Sequence, residues 1–377
     1  MKVLLAGGGS AGHINPAIAI ANLIKNYDKD AEIAFIATKK GMENRLVGKA
    51  GYPVHHIEMQ GLRRSLSLSN IRTAYYYFTS PIKAKKLIRE FSPDLVIGTG
   101  GYLCWPLLHM AAKMGVPTAV HESNAIPGKA VKMLEKEVDR IYTNFPATEK
   151  ALKHPEKALH VGNPLICTPG EHSISALREK LGIPKTAKKV ILSFGGSLGA
   201  ARVNEEVLKF MCDYTMMHPE VFHVHASGRV NYDEVISSAK TYGITEAPNI
   251  KIFEYIYDMP LWEEIADVVI CRAGAMTISE MALLSKACIL IPSPNVANNH
   301  QYENAKRLAD ADAAILLEEK DLSADTLVAA VTELLTSLRK KSELSANIAA
   351  FANPKAGEDI LADLLLLAQK GSLYEPK

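Results

Sequence analysis

Two segments of the chain repeat one local pattern, in which an apolar run enters a glycine-rich turn and then a helical pattern. Residues 2–13 read KVLLAGGGSAGH, and residues 189–210 read KVILSFGGSLGAARVNEEVLKF. A strand that enters a helix through a glycine turn is the basic unit of parallel α/β sheets. Short β-rich runs alternate with helix-period segments along the rest of the chain. We therefore predict an α/β fold with two doubly wound domains in tandem, each beginning with its own glycine loop.

Composition narrows the class of protein. The 377 residues suffice for two domains of ordinary size, and 48% of them are hydrophobic, so each domain can bury a core. The 43 basic and 41 acidic residues give a net charge of +2, which predicts no extended polyanion-binding face and no nucleic-acid partner. Five scattered cysteines without a C-x-x-C pair are typical of reduced thiols in a cytosolic protein. No stretch reaches the roughly 18 apolar residues that span a bilayer, so we expect at most a peripheral membrane contact.

The apolar pattern also predicts where the strands lie. They are expected at residues 2–6, 32–37, 55–59, 95–98, 118–121, 140–143, 189–194, 221–226, 250–253, 268–271, 287–291 and 313–317. Residues 160–189 contain three prolines and read as an interdomain connection with one short helix. The longest predicted helix covers residues 71–91, and we expect Pro81 to interrupt it.

The first glycine loop admits two interpretations. Gly7, Gly9 and Gly12 satisfy G-x-G-x-x-G, the dinucleotide fingerprint, which also requires an acidic residue at the end of the second strand. Residues 38–40 read TKK there, so the loop more naturally holds some other phosphate on its N–H groups and helix N-terminus. His13 follows the last glycine, where it is either a general base for a hydroxyl or a helix-start residue bonded to a backbone carbonyl.

The second half of the chain carries a further group of candidate ligand residues. Ser197 lies in the second glycine loop, as a phosphate donor or a plain N-cap. In CRAGAMTISE, residues 271–280, a glycine turn opens a helix that carries Glu280, suited to a ribose diol or to compensation of the helix dipole. Gln301 opens another helix after a strand. Together these features predict a sugar-nucleotide pocket.

Seven motifs in a fixed order carry a resemblance to a known family. They are GGGSAGHINPAIAIA, GTGGYLCWP, HESNAIPGKA, VGNP, FGGSLGA, CRAGAMTISE and HQYENA, and they span nearly the whole chain. They closely resemble the inverting glycosyltransferases of family 28 that build peptidoglycan precursors. The resemblance implies the GT-B fold, with two Rossmann-like doubly wound domains facing a deep interdomain cleft. It implies an acceptor-binding, membrane-associating domain at 1–162 and a UDP-GlcNAc-binding domain at 163–355. Helix 356–370 is compatible with packing on either domain, and we assign it to the first.

The resemblance also implies an activity. The expected reaction transfers GlcNAc from UDP-GlcNAc to the C4 hydroxyl of MurNAc in lipid I, undecaprenyl-pyrophosphoryl-MurNAc-pentapeptide, and forms lipid II with inversion. The expected location is the cytoplasmic face of the cell membrane, as a peripheral protein, and no cofactor is implied. Another GT-B lipid glycosyltransferase and a UDP-GlcNAc epimerase remain as alternatives, with an NADP-dependent dehydrogenase or a non-catalytic nucleotide-binding scaffold as a different class.

The resemblance also implies a role for individual residues of this chain. His13 matches the candidate general base. The loops expected to receive the acceptor diphosphate contribute Gly9, Gly12, Gly100, Gly101 and Tyr102. The residues expected to bind UDP-GlcNAc are Ser10, Gly12, Asn124, Ser197, Ile256, Ala275, Met276, Thr277, Glu280 and Gln301. The chain departs from its relatives at Leu198, where a glutamine is common, and after VGNP, where some relatives carry an arginine.

We predict no metal site. The D-x-D pairs at residues 28–30 and 310–312 fall in turns that precede strands, whereas metal-binding pairs of other glycosyltransferases follow them.

One amphipathic stretch is a candidate for membrane contact. We define the basic-aromatic patch as Tyr75, Phe78, Ile82, Lys83, Lys85 and Lys86. An apolar stripe with tyrosines and flanking cations suits an interface with anionic inner-leaflet lipids. The alternative is an ordinary stripe that faces the core, with a solvated basic face behind it.

Overall fold

A computed structural model of the chain describes residues 1–61, 69–165, 173–196, 198–296 and 299–371. The chain forms two compact units, one made of residues 1–166 with 353–377 and the other of residues 167–352. Each unit is described by itself below.

The described part of the first unit contains a seven-stranded parallel sheet. Its strands are β1 (Lys2–Ala6), β2 (Glu32–Ala37), β3 (Val54–His56), β4 (Leu95–Gly98), β5 (Thr118–Glu122), β6 (Arg140–Thr143) and β7 (Ala158–His160). Their spatial order is β3-β2-β1-β4-β5-β6-β7, with Val3 of β1 opposite both Ile33 and Leu95. The order reverses between β1 and β4, and open α/β sheets bind ligands beyond the carboxyl ends of the strands at such a point.

The two edge strands of this sheet differ from the prediction. Strand β3 is three residues long, because it pairs only with residues 35–37 of β2 before the chain leaves the sheet. Strand β7 was not predicted; its residues are at least partly exposed and include His160, so they lack the continuous apolar run of a central strand.

Helices cover the faces of this sheet. They are α1 (Ala11–Tyr27), α2 (Glu43–Lys49), α3 (Ser69–Phe91), α4 (Cys104–Lys113), α5 (Lys129–Leu134) and α6 (Pro146–Lys150). The prediction that Pro81 interrupts α3 is wrong, since the helix continues through it. Tyr76, Ser80, Ala84 and Ile88 form a buried stripe at i, i+4 spacing on both sides of Pro81. Packing of this stripe maintains the helix where the proline removes one backbone hydrogen bond.

The second unit repeats the design with six described parallel strands, in the order β10-β9-β8-β11-β12-β13. The strands are β8 (Lys189–Phe194), β9 (Val221–Ala226), β10 (Ile250–Phe253), β11 (Val268–Cys271), β12 (Cys288–Leu290) and β13 (Ile315–Leu316). The helices are α7 (Ile174–Lys180), α8 (Ala201–Asp213), α9 (Tyr232–Thr241), α10 (Met259–Ile265), α11 (Ala275–Leu283), α12 (His300–Asp310), α13 (Ala324–Thr336) and α14 (Leu338–Ala349). Val190 and Leu192 join one core layer and Ile191 joins the other, as the alternation of side chains along a strand requires.

The last helix, α15 (Ala356–Gly371), packs on the first unit. Ile360 and Leu364 are fully buried in the same core layer as the apolar face of α1. Asp363 accepts hydrogen bonds from Arg140 Nε and from the Tyr142 hydroxyl of β6, each 2.8 Å long. A part-buried carboxylate with two donors from one strand fixes the helix in register with the sheet.

Candidate active site

Two glycine loops meet at the carboxyl edge of the first sheet. The Gly8 N–H of the loop between β1 and α1 donates to the Gly100 carbonyl of the loop between β4 and α4, at 3.3 Å. Gly101 has a φ of +84° and lies so close to the Gly8 carbonyl that a β-carbon would clash with it. Glycine is therefore required at Gly101 for close approach of the two backbones.

His13 lies in the first turn of α1, directly above this junction. Its Nδ1 is 3.1 Å from the Thr99 carbonyl oxygen. A carbonyl only accepts, so this contact places the proton on Nδ1 and the basic lone pair on Nε2. The Thr99 hydroxyl donates to the His13 carbonyl, which ties the two loops together a second time. The contact to a backbone carbonyl, set against catalysis in the sequence analysis, is thus compatible with a base.

Glu43 is a buried group in this region that the sequence analysis missed. It is fully buried at the start of α2, and its Oε1 accepts from the Gly9 N–H at 2.8 Å. Its Oε2 has no hydrogen-bond partner among the described residues. The Gly9 amide, expected to meet the acceptor diphosphate, therefore binds an internal carboxylate in this structure. A single glutamate in the first turn of a helix carries no sequence signal for such a role.

The remaining predicted residues of the first loop are accessible. Ser10 is the N-cap of α1 and Gly12 lies in its first turn, and both are exposed. The Ser10 side chain makes no capping hydrogen bond, so the structure gives its hydroxyl no role in starting the helix. The N–H groups of a helix N-terminus point toward a ligand at this edge of the sheet.

The loop after β5 is organised around a second buried carboxylate, Glu122. Its Oε1 accepts from the backbone N–H and the side-chain amide of Asn124, at 2.9 and 3.1 Å, and its Oε2 accepts from the Gly128 N–H at 2.7 Å. Burial raises the pKa of Glu122, and these donors act in the opposite direction. Glu122 thereby fixes the orientation of Asn124, which was predicted to lie at the donor sugar.

In the second unit, the loop after β8 contains two glycines in the left-handed region of backbone conformation. Gly196 and Gly199 have φ values of +91° and +85°, and Gly199 lies against the Ser227 carbonyl with no room for a β-carbon. Successive backbone N–H groups in such turns form concave anion sites. Ser197, the predicted phosphate contact, lies outside the described residues.

The N-terminus of α11 follows the carboxyl end of β11. Gly274 is its N-cap in extended conformation, and Ala275, Met276 and Thr277 form the first turn. Their position directs the N–H groups of that turn beyond the sheet, as the predicted anion site requires. Asn304 donates to the Ala273 carbonyl at 3.3 Å and connects α12 to this turn.

Glu280 does not sit where a dipole-compensating glutamate would. The first turn of α11 contains no acidic residue, so the alternative interpretation of Glu280 is wrong. Its carboxyl group lies near Glu263 of α10, which is only 2% exposed. Burial raises the pKa of both groups, and the neighbouring Glu280 further raises the pKa of Glu263. Sequence gave no indication of this pair, because the two residues lie on different helices.

Gln301 and Ile256 differ in how much of the side chain is available to a ligand. Gln301 Oε1 accepts from the Ser293 N–H at 2.8 Å, which turns its amide nitrogen outward as a donor. Ile256 is 5% exposed and packs in the core layer that contains Trp262. Only a small part of its side chain is therefore available to a ligand.

The structure thus gathers the predicted residues into two groups. The first unit brings His13, the glycine loops, Tyr102 and Asn124 to the carboxyl ends of β1, β4 and β5. The second unit brings the loop after β8, the first turn of α11, Glu280 and Gln301 to the carboxyl ends of β8, β11 and β12.

Neither D-x-D pair lies at these strand ends. Asp28 caps the C-terminus of α1, where it accepts from the N-terminal amine, and Asp310 pairs with Lys306 on α12. Across the described residues, no three His, Cys, Asp or Glu side chains are arranged to hold a metal ion.

The apolar residues of the basic-aromatic patch point outward. Tyr75, Phe78 and Ile82 are 63%, 72% and 69% exposed, so the alternative of a core-facing stripe is wrong. Lys83 and Lys86 are exposed beside them and Lys85 is half-buried. None of the helices in the described parts of the chain is long and apolar enough to cross a membrane.

Comparison with known proteins follows the same division of the chain. Residues 3–143 match the model of the glycosyltransferase family 28 N-terminal domain, and residues 190–360 match that of the family 28 C-terminal domain. The chain belongs to glycosyltransferase family 28. Membership of this family excludes the alternatives of an NADP-dependent dehydrogenase and of a non-catalytic nucleotide-binding scaffold. The chain is a glycosyltransferase.

Relatives of this family 28 chain agree with that assignment. It is 40% identical to the UDP-N-acetylglucosamine–N-acetylmuramyl-(pentapeptide) pyrophosphoryl-undecaprenol N-acetylglucosamine transferase of Acetivibrio thermocellus, over 97% of this chain and 98% of that protein. The crystal structure of MurG from Acinetobacter baumannii superimposes with a TM-score of 0.72 at 26% identity, covering 97% and 99% of the two chains. A UDP-N-acetylglucosamine 2-epimerase structure from Listeria monocytogenes gives a TM-score of 0.68 at 13% identity, over 97% and 95% of the two chains, which shows a shared fold alone.

Proposed function

We propose that this chain transfers GlcNAc from UDP-GlcNAc to the C4 hydroxyl of MurNAc in lipid I and so forms lipid II. The observation that carries the proposal is the 40% identity, over nearly the full length of both chains, to a transferase named for this reaction. Epimerase structures at 13–15% identity share the fold with this chain, and identity at that level does not favour the epimerase alternative.

On the acceptor side, His13 acts as the general base. The contact from its Nδ1 to the Thr99 carbonyl places the basic lone pair on Nε2, the atom that takes the C4 hydroxyl proton as attack on the anomeric carbon develops. Displacement from the face opposite the UDP leaving group inverts the anomeric configuration. The loops that contain Gly100, Gly101 and Tyr102 lie next to this ring and contact the acceptor.

On the donor side, backbone groups stabilise the leaving UDP. Negative charge grows on its diphosphate as the glycosidic bond breaks, and the first turn of α11 presents N–H dipoles to it. Glu280 accepts from the ribose hydroxyls, and the amide nitrogen of Gln301 donates to the GlcNAc hydroxyls. Asn124, held by Glu122, contacts the sugar.

The acceptor is a membrane lipid, so the protein works at the cytoplasmic face of the membrane as a peripheral protein. The basic-aromatic patch supports this location, because exposed aromatic and aliphatic side chains flanked by lysines bind the interface of anionic bilayers.

A transfer assay tests the proposal. Radiolabelled UDP-GlcNAc is incubated with a short-chain lipid I analogue, and UDP release is followed together with formation of the β-linked disaccharide. His13→Ala should lower kcat about 100- to 10,000-fold with little change in the KM for UDP-GlcNAc, because general base catalysis contributes that range. Near-normal turnover of the variant would exclude His13 as the base, and product formation without acceptor would indicate epimerisation instead.

A further inference from the structure

A cavity of about 460 Å³ lies at the carboxyl ends of β2 and β3 in the first unit. Its lining comes from four separate parts of that unit, namely the turn after β2, the segment after β3, the first turns of α3, and Tyr102. We call it the β2–β3 pocket. The site residues that the sequence predicted include only Tyr102 among its walls, so most of this cavity has no assigned role.

Three cationic side chains and one carboxylate face the β2–β3 pocket. Lys39 and Lys40 come from residues 38–40, where a dinucleotide-binding protein would carry an acid, and Arg72 comes from α3. Arg72 Nε donates to the Tyr76 hydroxyl at 2.7 Å, which fixes the guanidinium at the pocket wall. None of the three cations forms an ion pair with a described carboxylate. The carboxylate of the pocket, Glu58, accepts instead from the Lys39 backbone N–H at 3.3 Å.

The position of the pocket relates it to the acceptor. Tyr102, in the loop that also contains Gly100 beside His13, lines the pocket together with Arg72 and Tyr76 of α3. The same helix turns present Tyr75 and Phe78 of the basic-aromatic patch outward. The pocket is therefore lined both by the helix proposed to meet the membrane and by the loop beside the proposed base.

The first glycine loop offers limited space for the same anion. The Gly9 N–H is already bonded to the buried Glu43 carboxylate. Burial is the larger cause of the raised pKa of the Tyr102 phenol, and the nearby Glu43 raises that pKa further. The Gly9 amide is therefore already occupied, whereas the three cations of the pocket attract an incoming diphosphate.

We propose that the β2–β3 pocket binds the diphosphate of the lipid-linked acceptor through Lys39, Lys40 and Arg72. The proposal rests on the proposed function and adds the acceptor's anion site to it. In a lipid-linked sugar the diphosphate joins the tail to the reacting sugar, and the pocket shares its lining with both the helix that carries the patch and the loop beside His13. Guanidinium and ammonium groups are the side chains that hold phosphates most strongly.

The test uses the full-length triple variant Lys39→Gln, Lys40→Gln, Arg72→Gln in the transfer assay. Charge-assisted hydrogen bonds contribute about 1.5–3 kcal/mol each when buried and less when exposed, so the KM for the acceptor should rise at least about tenfold. The KM for UDP-GlcNAc should stay within about twofold. The matched control is Lys113→Gln with Lys136→Gln and Lys150→Gln, three exposed lysines of the same unit that do not line the pocket, which should leave both KM values unchanged. Equal midpoints of thermal unfolding for the wild-type protein, the triple variant and the control variant verify that all three are folded.

Two further arms identify the anion. The affinity for inorganic pyrophosphate, measured by calorimetric titration, should be lower in the triple variant than in the wild-type protein. This measurement tests the pocket without requiring turnover. Acceptor analogues with the pentapeptide or with a single alanine should show the same rise in KM. A rise confined to the pentapeptide would assign the pocket to peptide carboxylates and overturn the proposal. An unchanged acceptor KM in the triple variant, with active wild-type protein, would also overturn it. A wild-type protein that transfers no GlcNAc would refute the proposed function separately.

Discussion

The imidazole Nδ1 of His13 lies 3.1 Å from the carbonyl oxygen of Thr99, a residue 86 positions further along the chain. One backbone carbonyl of the β4–α4 loop therefore sets the orientation and the tautomer of a side chain at the start of α1. The ring also packs on Gly100, where a β-carbon would lie 2.5 Å from Nδ1. The geometry of the candidate base depends on the absence of a side chain at that position.

Gly100→Ala should displace His13 and slow the reaction. Its φ of +103° also makes alanine strained, at a cost of about 1–3 kcal/mol in stability. We expect kcat to fall by about 100-fold, because a displacement of about 1 Å in a catalytic group has that effect. Gly115→Ala is the matched control, with a φ of +75° and open space around it. It should lose similar stability and keep kcat; equal kcat values for the two variants would contradict the packing argument.

Glu280→Gln should weaken donor binding and also change the pH dependence of stability. Burial raises the pKa of Glu280 and Glu263, so the folded state retains protons that the unfolded state releases. The two protonated carboxyl groups therefore contribute their full stabilisation below the ordinary glutamate pKa of about 4.5. This stabilisation is lost as the pH rises through the pKa values that the two groups have in the folded state. In guanidinium unfolding, the change in the free energy of unfolding from pH 5 to pH 8 should therefore be more negative for the wild-type protein than for the variant. The buried histidines of the same unit act in the opposite direction but contribute equally to both proteins.

Glu263→Gln separates the effect of Glu280→Gln on donor binding from its effect on the pH dependence of stability. It removes the same repulsion between carboxylates but not the proposed ribose contact. Both variants should flatten the pH dependence, whereas only Glu280→Gln should raise the KM for UDP-GlcNAc, by about 10- to 100-fold. A raised donor KM in both variants would mean that the pair acts through local structure rather than through contact with ribose.

His225 should remain neutral at pH values where an ordinary histidine is charged. The buried Ser193 hydroxyl lies 2.8 Å from His223 Nε2 and 2.8 Å from His225 Nδ1, and His225 Nε2 lies 3.1 Å from Asn204 Oδ1. Burial lowers the pKa of His225 to about 4, and burial together with the neighbouring His225 lowers the pKa of His223 well below its ordinary value. The unfolded state gains protons first as the pH falls below about 6.5, so acid destabilises the second unit, by about 3 kcal/mol at pH 4 for His225 alone. Ring chemical shifts from NMR check this directly, and a His225 midpoint near 6.5 would refute it.

Replacement of Lys83, Lys85 and Lys86 by glutamate should weaken binding to anionic vesicles. Each lysine near such a surface contributes about 1 kcal/mol, so loss of three predicts at least a 100-fold weaker association, measured by vesicle sedimentation. The control replaces Lys113, Lys136 and Lys150, three exposed lysines of the same unit, and produces the same change in net charge. Equal binding of the two triple variants would eliminate the basic-aromatic patch as the contact surface.

Much of the fold was predictable because parallel strands and glycine turns leave local signals. The predicted bounds of β1, β2, β4, β6, β8, β9, β10 and β11 agree with the structure, since apolar runs mark the strands of a parallel sheet. Edge strands β3 and β7 were predicted poorly, because each is only three residues long and their sequences, VHH and ALH, contain no apolar run. Pro81 was misjudged because the buried stripe of α3, a tertiary feature, outweighs one missing hydrogen bond.

The sequence by itself determined the two α/β units, the family, and the presence of glycine turns and a histidine at strand ends. These features follow from residue spacing and conformational preference along short segments. Only the tertiary structure decided that Thr99 orients His13, that Glu43 binds the Gly9 amide, and that Glu263 lies beside Glu280. Each pair joins separate loops or helices, and burial determines the energies of their hydrogen bonds and charges. No short stretch of sequence indicates which of these residues form pairs or which of them are buried.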